Sequence, residues 1–183
     1  LGETAQDIQK QADGSFIVTT NKGTRHHASV VAIAGGLGTF EPRKPNLEGL
    51  VQWEDKGVDY IIRDPEVYRN QKVLIAGGGD SALDWTIVLA DIADQLTLIH
   101  RRNEFRGALD SVEKVQVLKD QGKIHLITPA EVTALIGGVA LESVTVVQEV
   151  TSKNIAVDRF IPLFGLTPKL GPIADWGLEI EKN

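Results

Sequence analysis

A short apolar segment followed by a cluster of glycines constrains this chain more than any other feature. Residues 72–76 read Lys-Val-Leu-Ile-Ala, which is typical of a buried parallel strand, and residues 77–82 read Gly-Gly-Gly-Asp-Ser-Ala. The residues after Asp80 have helical character up to about Ala90. The sequence therefore predicts a strand, a tight glycine turn and a helix in succession, which is the opening unit of an α/β fold.

The spacing of these residues suits a bound pyrophosphate. The first glycine permits the tight turn, the third lets the backbone approach the phosphates, and the alanine allows the helix to pack closely on the strand. Phosphate oxygens can then meet free N–H groups and the positive end of the helix dipole. The alternative is a glycine turn that serves only to reverse the chain. The residues assigned to the pyrophosphate are Gly77, Gly78, Gly79, Asp80, Ser81 and Ala82. Because a carboxylate would repel a pyrophosphate, we expect Asp80 to cap the helix with its side chain turned away.

Basic residues follow the next predicted strand, which covers residues 95–99. His100, Arg101 and Arg102 come directly after it, about twenty residues past the glycines, and Arg106 follows about one turn later. An NAD site carries an acidic residue at this position, where it accepts hydrogen bonds from the ribose. Guanidinium groups match the oxygens of a 2′-phosphate instead. The sequence therefore predicts NADP(H) as the cofactor, and the alternative is a solvated basic turn.

Composition excludes several classes of function. The chain has 183 residues, of which 42% are hydrophobic, and this is enough for one substantial core or two modest ones. A net charge of -6 argues against a nucleic-acid partner. No apolar run approaches the roughly 20 residues of a membrane helix, and no signal segment is recognisable, so we expect a cytoplasmic protein without a membrane partner. The absence of cysteine excludes disulfide scaffolds and dithiol chemistry, and the four histidines lack clustered acids, so we expect no metal site.

Turn residues divide the chain into three predicted segments. Residues 16–20 and 24–27 read as a hairpin and residues 30–34 as a further strand, and residues 38–57 are rich in proline, glycine and charge, as a linker is. After the helix and strand described above, we predict a helix over residues 111–120 and four short strands near residues 124–127, 132–136, 141–147 and 155–160. The predicted domains are residues 1–50, 51–163 and 164–183.

Several motifs together resemble a known family. The glycine turn, Leu98-Ile-His-Arg-Arg102 and Glu104-Phe-Arg106 resemble the NADPH-binding domain of the thioredoxin reductase superfamily of flavoproteins. Phe40-Glu-Pro-Arg-Lys-Pro45 and the segment from Leu170 to Leu178 are similar to the thioredoxin-reductase-like ferredoxin-NADP reductases. Thioredoxin reductase itself carries a Cys-x-x-Cys pair where this chain has Tyr60-Ile-Ile-Arg63, so the resemblance favours the ferredoxin branch.

This resemblance implies a fold and an activity. The implied fold is α/β, with a Rossmann-like three-layer NADP-binding domain of parallel sheet, helices and β-meander, flanked by strands from an incomplete FAD-binding domain. The implied parent is a homodimeric flavoenzyme that exchanges electrons between NADP(H), FAD and ferredoxin or flavodoxin. Its hydride transfer is cofactor chemistry, so we assign no catalytic side chain. The resemblance also places Gly165 near the nucleotide.

The resemblance further predicts that this chain is a fragment. Family members begin with a glycine fingerprint for FAD and finish with a Gly-Asp motif on the flavin side, and both lie outside the 183 residues. We therefore expect the chain to bind NADP(H) and not to retain FAD. Two alternatives stay open: an NADP-binding module without turnover of its own, and another NADPH-linked flavin reductase with a different acceptor.

Overall fold

The computed structural model describes residues 2–34 and 40–179. These residues form two compact units. The terminal unit comprises Leu1–Glu41 and Thr167–Asn183, and the central unit comprises Pro42–Leu166.

The terminal unit contains an antiparallel sheet of three strands, β1 (Ala5–Lys10), β2 (Phe16–Thr20) and β3 (Arg25–Ala28), in the order β1-β2-β3. The predicted hairpin is thereby confirmed as β2 and β3. The prediction of a strand over residues 30–34 is wrong, because these residues pair with no strand within residues 2–34 and 40–179, and Val30 is 80% exposed. An apolar run becomes a strand only where a neighbouring strand satisfies its backbone groups.

The central unit contains the predicted α/β arrangement. A short strand, β4 (Phe40–Pro42), precedes it, and two 3₁₀ turns cover Leu50–Trp53 and Pro65–Tyr68. Its other elements, in chain order, are β5 (Lys72–Ala76), α1 (Asp80–Leu89), β6 (Gln95–Ile99), α2 (Leu109–Asp120), β7 (His125–Ile127), β8 (Glu131–Gly137), β9 (Leu141–Gln148), β10 (Thr151–Ala156) and β11 (Arg159–Pro162). A short strand, β12 (Leu166–Pro168), follows, and a 3₁₀ turn at Gly171–Asp175 belongs to the terminal unit. The parallel sheet of the central unit has the order β11-β5-β6-β7, and its antiparallel sheet has the order β10-β9-β8.

The parallel sheet is buried on both faces, because successive side chains of a strand point to opposite sides. Val73 and Ile75 of β5 belong to a core cluster with Leu83 of α1. Leu74, between them, belongs to a second cluster with Val144 of β9. The unit therefore has three layers, with helices on one face of the parallel sheet and the antiparallel sheet on the other, which confirms the predicted fold class.

One segment and one strand differ from the sequence prediction. Residues 38–57 were predicted as a linker, but Leu47, Leu50 and Trp53 pack into the core of the central unit. The single strand predicted over residues 155–160 is wrong, since β10 ends at Ala156 beside β9 and β11 begins at Arg159 beside β5. Among the residues that the structure describes, none of the helices has the length and apolar character needed to cross a membrane.

Candidate functional site

The three consecutive glycines after β5 have three different surroundings. A Cβ added at Gly77 would lie 2.6 Å from the carbonyl oxygen of Leu163 and 2.8 Å from the Cβ of Ala82. A Cβ at Gly78 would overlap the imidazole ring of His100. A Cβ at Gly79 would meet nothing within 4 Å, and the backbone there is extended, with φ −103° and ψ −179°. The first two glycines are therefore required by the packing of the chain itself, whereas the third leaves an open cradle.

Backbone donors without acceptors surround this cradle. Gly79 is the N-cap of α1, and its carbonyl oxygen accepts from the N–H groups of Ala82 and Leu83 at 3.0 and 3.2 Å. The N–H groups of Gly79, Asp80 and Ser81 donate to no acceptor within the described part of the chain. Free amides at the positive end of a helix dipole favour an anion. The first turn of α1 therefore has the donor set that a phosphate needs.

The segment that carries the arginines is hydrogen bonded to the glycine turn. The N–H group of Arg106 donates to the carbonyl oxygen of Gly78 at 2.7 Å. The N–H group of Ala108, which precedes α2, donates to Oδ1 of Asp80 at 2.7 Å. The expectation that Asp80 caps α1 is wrong, because its carboxylate accepts from the start of the next helix. These two bonds fix the distance between the glycine turn and Arg106.

His100 is buried beneath the glycine turn and is only 7% exposed. Its ring stacks on Phe105, with the centroids 5.4 Å apart and the planes 21° from parallel, and lies against Gly78. Its Nε2 atom is buried and has no hydrogen-bond partner among the described residues. The sequence assigned His100 to a 2′-phosphate together with the exposed arginines, but the structure places it in the packing that supports the turn.

The surroundings of His100 favour its neutral form. Burial lowers its pKa below the usual histidine range, and the positive charges of Arg101, Arg106 and Arg102 lower that pKa further. A backbone hydrogen bond with Glu104 acts in the opposite direction. His100 therefore contributes packing rather than charge to this site.

The pKa of His100 predicts an acid-sensitive stability. In the unfolded chain this histidine takes up a proton near the ordinary histidine pKa of about 6.5, whereas in the folded chain its lowered pKa delays protonation to a lower pH. The free energy of unfolding should therefore fall as the pH drops below about 6.5, and it should fall less in His100→Gln, which has no proton to bind. Urea unfolding at pH 7.5 and 5.5 measures this. An equal loss in both proteins would contradict the burial of a neutral histidine.

A cavity of about 740 Å³ opens over the glycine turn, within the central unit. The predicted residues that line it are Gly77, Gly78, Gly79, Asp80, Ser81, His100, Arg101, Arg106 and Gly165. Two predicted residues do not line it: Ala82 is fully buried behind the turn, and Arg102 is exposed beside it. The sequence missed Arg43, Asn46 and Glu131, which line the cavity from segments distant in sequence. Arg43 lies within residues 40–45, which carry part of the family resemblance but did not indicate a nucleotide contact, and no local motif marks Asn46 or Glu131.

A second cavity of about 810 Å³ lies between α2, β7 and the ends of β9 and β10. Its lining includes Val112, Lys119, Gln148 and Lys153, and it contains neither the glycine turn nor the three arginines. We therefore take the cavity over the glycine turn as the candidate site.

A comparison with protein families assigns the chain. The model of the pyridine nucleotide-disulphide oxidoreductase family matches residues 1–183. The chain belongs to this family. The resemblance stated from the motifs is thereby confirmed.

Relatives within the pyridine nucleotide-disulphide oxidoreductases carry a more specific name. The chain is 65% identical over 183 residues to a ferredoxin-NADP reductase of Flavobacterium johnsoniae, and 42% identical over 185 residues to one of a Bradyrhizobium species. Both alignments include 100% of this chain, but only 52% and 54% of the length of the two reductases. The chain therefore spans about half the length of the relatives it matches.

Solved structures support the fold of this family member. A thioredoxin reductase of T. acidophilum has a TM-score of 0.81 at 23% identity, over 99% of this chain and 58% of that one. A thioredoxin reductase of Lactococcus lactis has a TM-score of 0.79 at 24% identity, over 96% of this chain and 56% of that one. At this level of identity the likeness establishes the fold alone.

Proposed function

We propose that the central unit binds NADP(H) and thereby forms the pyridine-nucleotide site of a flavin-dependent ferredoxin-NADP reductase. The observation that carries this proposal is the open cradle at Gly79. The space is empty where a Cβ would stand, unpartnered N–H groups of α1 adjoin it, and guanidinium groups line the same cavity. This combination suits a ligand with a pyrophosphate and a further phosphate.

In this proposal the amides at the start of α1 and the arginines bind different phosphate groups of the nucleotide. The amides of Gly79, Asp80 and Ser81 hold the pyrophosphate, and Arg101 and Arg106 hold the 2′-phosphate, with exposed Arg102 next to them. The end of β6 carries no acidic residue that would accept from a free 2′-hydroxyl.

Gly165 lines the same cavity as the glycine turn. Its carbonyl oxygen accepts from the N–H group of Arg43 at 3.0 Å, so the two residues form one wall. This supports the proposed position of Gly165 near the nucleotide.

The chemistry of the site is binding and orientation. When bound, the nicotinamide supplies or accepts a hydride, and the residues of this chain hold the nucleotide in place. We propose no acid, base or nucleophile among the described side chains. We assign none of the described residues to FAD.

The partners of the complete protein follow from its relatives. Because the relatives at 65% and 42% identity are named ferredoxin-NADP reductases, we propose that the complete protein exchanges electrons with ferredoxin or flavodoxin, as a cytoplasmic homodimer. The chain lacks cysteine, and thus it has no dithiol for the reaction of the thioredoxin reductases. Ferredoxin-dependent oxidation of NADPH by the complete protein tests this. Oxidation of NADPH that proceeds only with another acceptor would contradict it.

Removal of the Arg101 guanidinium should reduce the preference of the site for NADPH over NADH. Arg101→Ala should lose about 1.5 to 3 kcal/mol of NADPH binding, the scale of a hydrogen bond to a charged group, and should leave NADH binding unchanged. Isothermal titration of both nucleotides measures the difference. Arg63→Ala, an exposed arginine outside the cavity, is the matched control and should bind NADPH as the parent chain does. Loss of equal size for the two nucleotides would contradict the assignment of Arg101 to the 2′-phosphate.

A further inference from the structure

Glu131 is an unpartnered carboxylate, among the described residues, in a cavity that is also lined by three arginines. Glu131 begins β8, lines the cavity and is exposed. Its side chain makes no hydrogen bond or ion pair with any residue that the structure describes. The other acid of the cavity, Asp80, already accepts from the N–H group of Ala108. Glu131 therefore offers a carboxylate acceptor that none of the described residues uses.

Backbone hydrogen bonds place Glu131 beside the arginine end of the cavity. The N–H group of Ala130 donates to the carbonyl oxygen of His100 at 2.8 Å. The N–H group of His100 in turn donates to the carbonyl oxygen of Ile127 at 3.3 Å. The start of β8 is thus fastened to the end of β6, immediately before Arg101. If Arg101 holds the 2′-phosphate, Glu131 lies at the adenosine end of the ligand.

A carboxylate at that place needs a donor from the ligand, because it would otherwise only repel the phosphates. The adenosine end of NADP(H) has two kinds of neutral donor, the 3′-hydroxyl of the ribose and the amino group of the adenine. The 3′-hydroxyl is adjacent to the 2′-phosphate, so a carboxylate that bound it would stand beside a doubly charged group. The amino group lies on the far edge of the base, away from the pyrophosphate and from the 2′-phosphate.

We propose that Glu131 accepts a hydrogen bond from the amino group of the adenine and so selects adenine over bases that carry a carbonyl there. This inference rests on the proposed NADP(H) site and adds to it a residue that reads the base. A site that hydrogen-bonds an N–H group of its ligand discriminates against an analogue without that group.

The test compares NADPH with its hypoxanthine analogue, in which a carbonyl replaces the amino group. The parent chain should bind NADPH about tenfold more tightly than the analogue, as a hydrogen bond to a charged acceptor predicts. Glu131→Ala should bind the two equally, with NADPH weakened and the analogue unchanged or tighter. Glu131→Gln should also lose the preference, because an amide can turn its N–H₂ group to a carbonyl. Isothermal titration of the three proteins with the two nucleotides measures all six affinities.

Two control variants separate this inference from the proposed function. Glu142→Ala removes an exposed carboxylate from the neighbouring strand outside the cavity and should keep the tenfold preference. Arg101→Ala should weaken both nucleotides by the same factor. If Glu131→Ala keeps the preference of the parent chain, or weakens both nucleotides equally, the role of Glu131 is overturned while the NADP(H) site stands. If the parent chain binds neither nucleotide, the proposed function fails and this inference fails with it.

Discussion

Gly79→Thr should weaken NADPH binding by about 100-fold or more without destabilising the chain. A Cβ at this position meets nothing within 4 Å, and the backbone conformation is open to any residue. Threonine is moreover an accepted N-cap residue, so α1 keeps its start. The added side chain instead occupies the cradle in which we place the pyrophosphate, and it separates the phosphate from at least two amide donors. Titration with NADPH and urea unfolding measure the two effects.

A second glycine provides the control for this substitution. Gly138→Thr changes an exposed hairpin glycine that also lacks a positive φ and does not line the cavity. It should leave NADPH affinity as it is in the parent chain. Tight NADPH binding by Gly79→Thr would show that the open space at Gly79 does not receive the ligand.

Gly78→Ala should have the opposite profile and reduce the free energy of unfolding by about 3 kcal/mol, at the upper end of the usual cost of overpacking. The new methyl group would overlap the imidazole of His100. That ring has little room to move, because it is 7% exposed and stacked on Phe105. The turn and the ring must therefore separate, which also disturbs the hydrogen bond from Arg106 to Gly78.

A double-mutant cycle identifies the cause of this loss. In a His100→Ala background the ring is gone, so Gly78→Ala should then cost less than about 1 kcal/mol. Gly79→Ser, one residue further on, should be close to neutral in either background, because its Cβ is unobstructed and serine is a good N-cap. Equal cost of Gly78→Ala in both backgrounds would mean that His100 is not what requires a glycine at this position.

Local patterns were sufficient to predict the elements that build the cavity floor. Residues 72–76 form β5, the residues from Asp80 to Leu89 form α1, and residues 95–99 form β6, as their apolar runs and the glycine turn indicated. Each of these patterns is contained within a few residues, and the parallel strands are buried on both faces, so their sequence is almost continuously apolar. The position of the arginines at the end of β6 follows from the same reading.

Elements that depend on distant partners could not be predicted in this way. The strand β1 reads Ala-Gln-Asp-Ile-Gln-Lys, which has too little alternation to mark a strand, and it exists because β2 pairs with it. Residues 30–34 are apolar enough to predict a strand, but they do not form one. Residues 155–160 contain the end of β10 and the start of β11, which belong to different sheets. Only their different partners, β9 for β10 and β5 for β11, show that these are two strands.

The same limit applies to the candidate site. The glycine turn and Arg106 follow neighbouring parallel strands, and the carboxyl ends of such strands meet at one edge of the sheet. Their proximity could therefore be predicted from the sequence, and the N–H group of Arg106 donates to the carbonyl oxygen of Gly78. It could not reveal that His100 is buried under Gly78, since this depends on the stacking of Phe105 from the following loop. Glu131 and Arg43 reach the cavity through tertiary contacts alone, and nothing in their immediate sequence indicates a ligand.

The most direct test of the central claim is a titration of the ¹⁵N-labelled chain with NADPH and with NADH, followed by amide chemical shifts. If the cavity over the glycine turn is the nucleotide site, NADPH should shift the amides of Gly79, Asp80 and Ser81 together with those of Arg101 and Arg106. NADH, which lacks the 2′-phosphate, should bind more weakly and leave the arginine amides nearly unchanged. Shifts confined to the second cavity, around Val112 and Lys153, would contradict the assignment, as would identical responses to the two nucleotides.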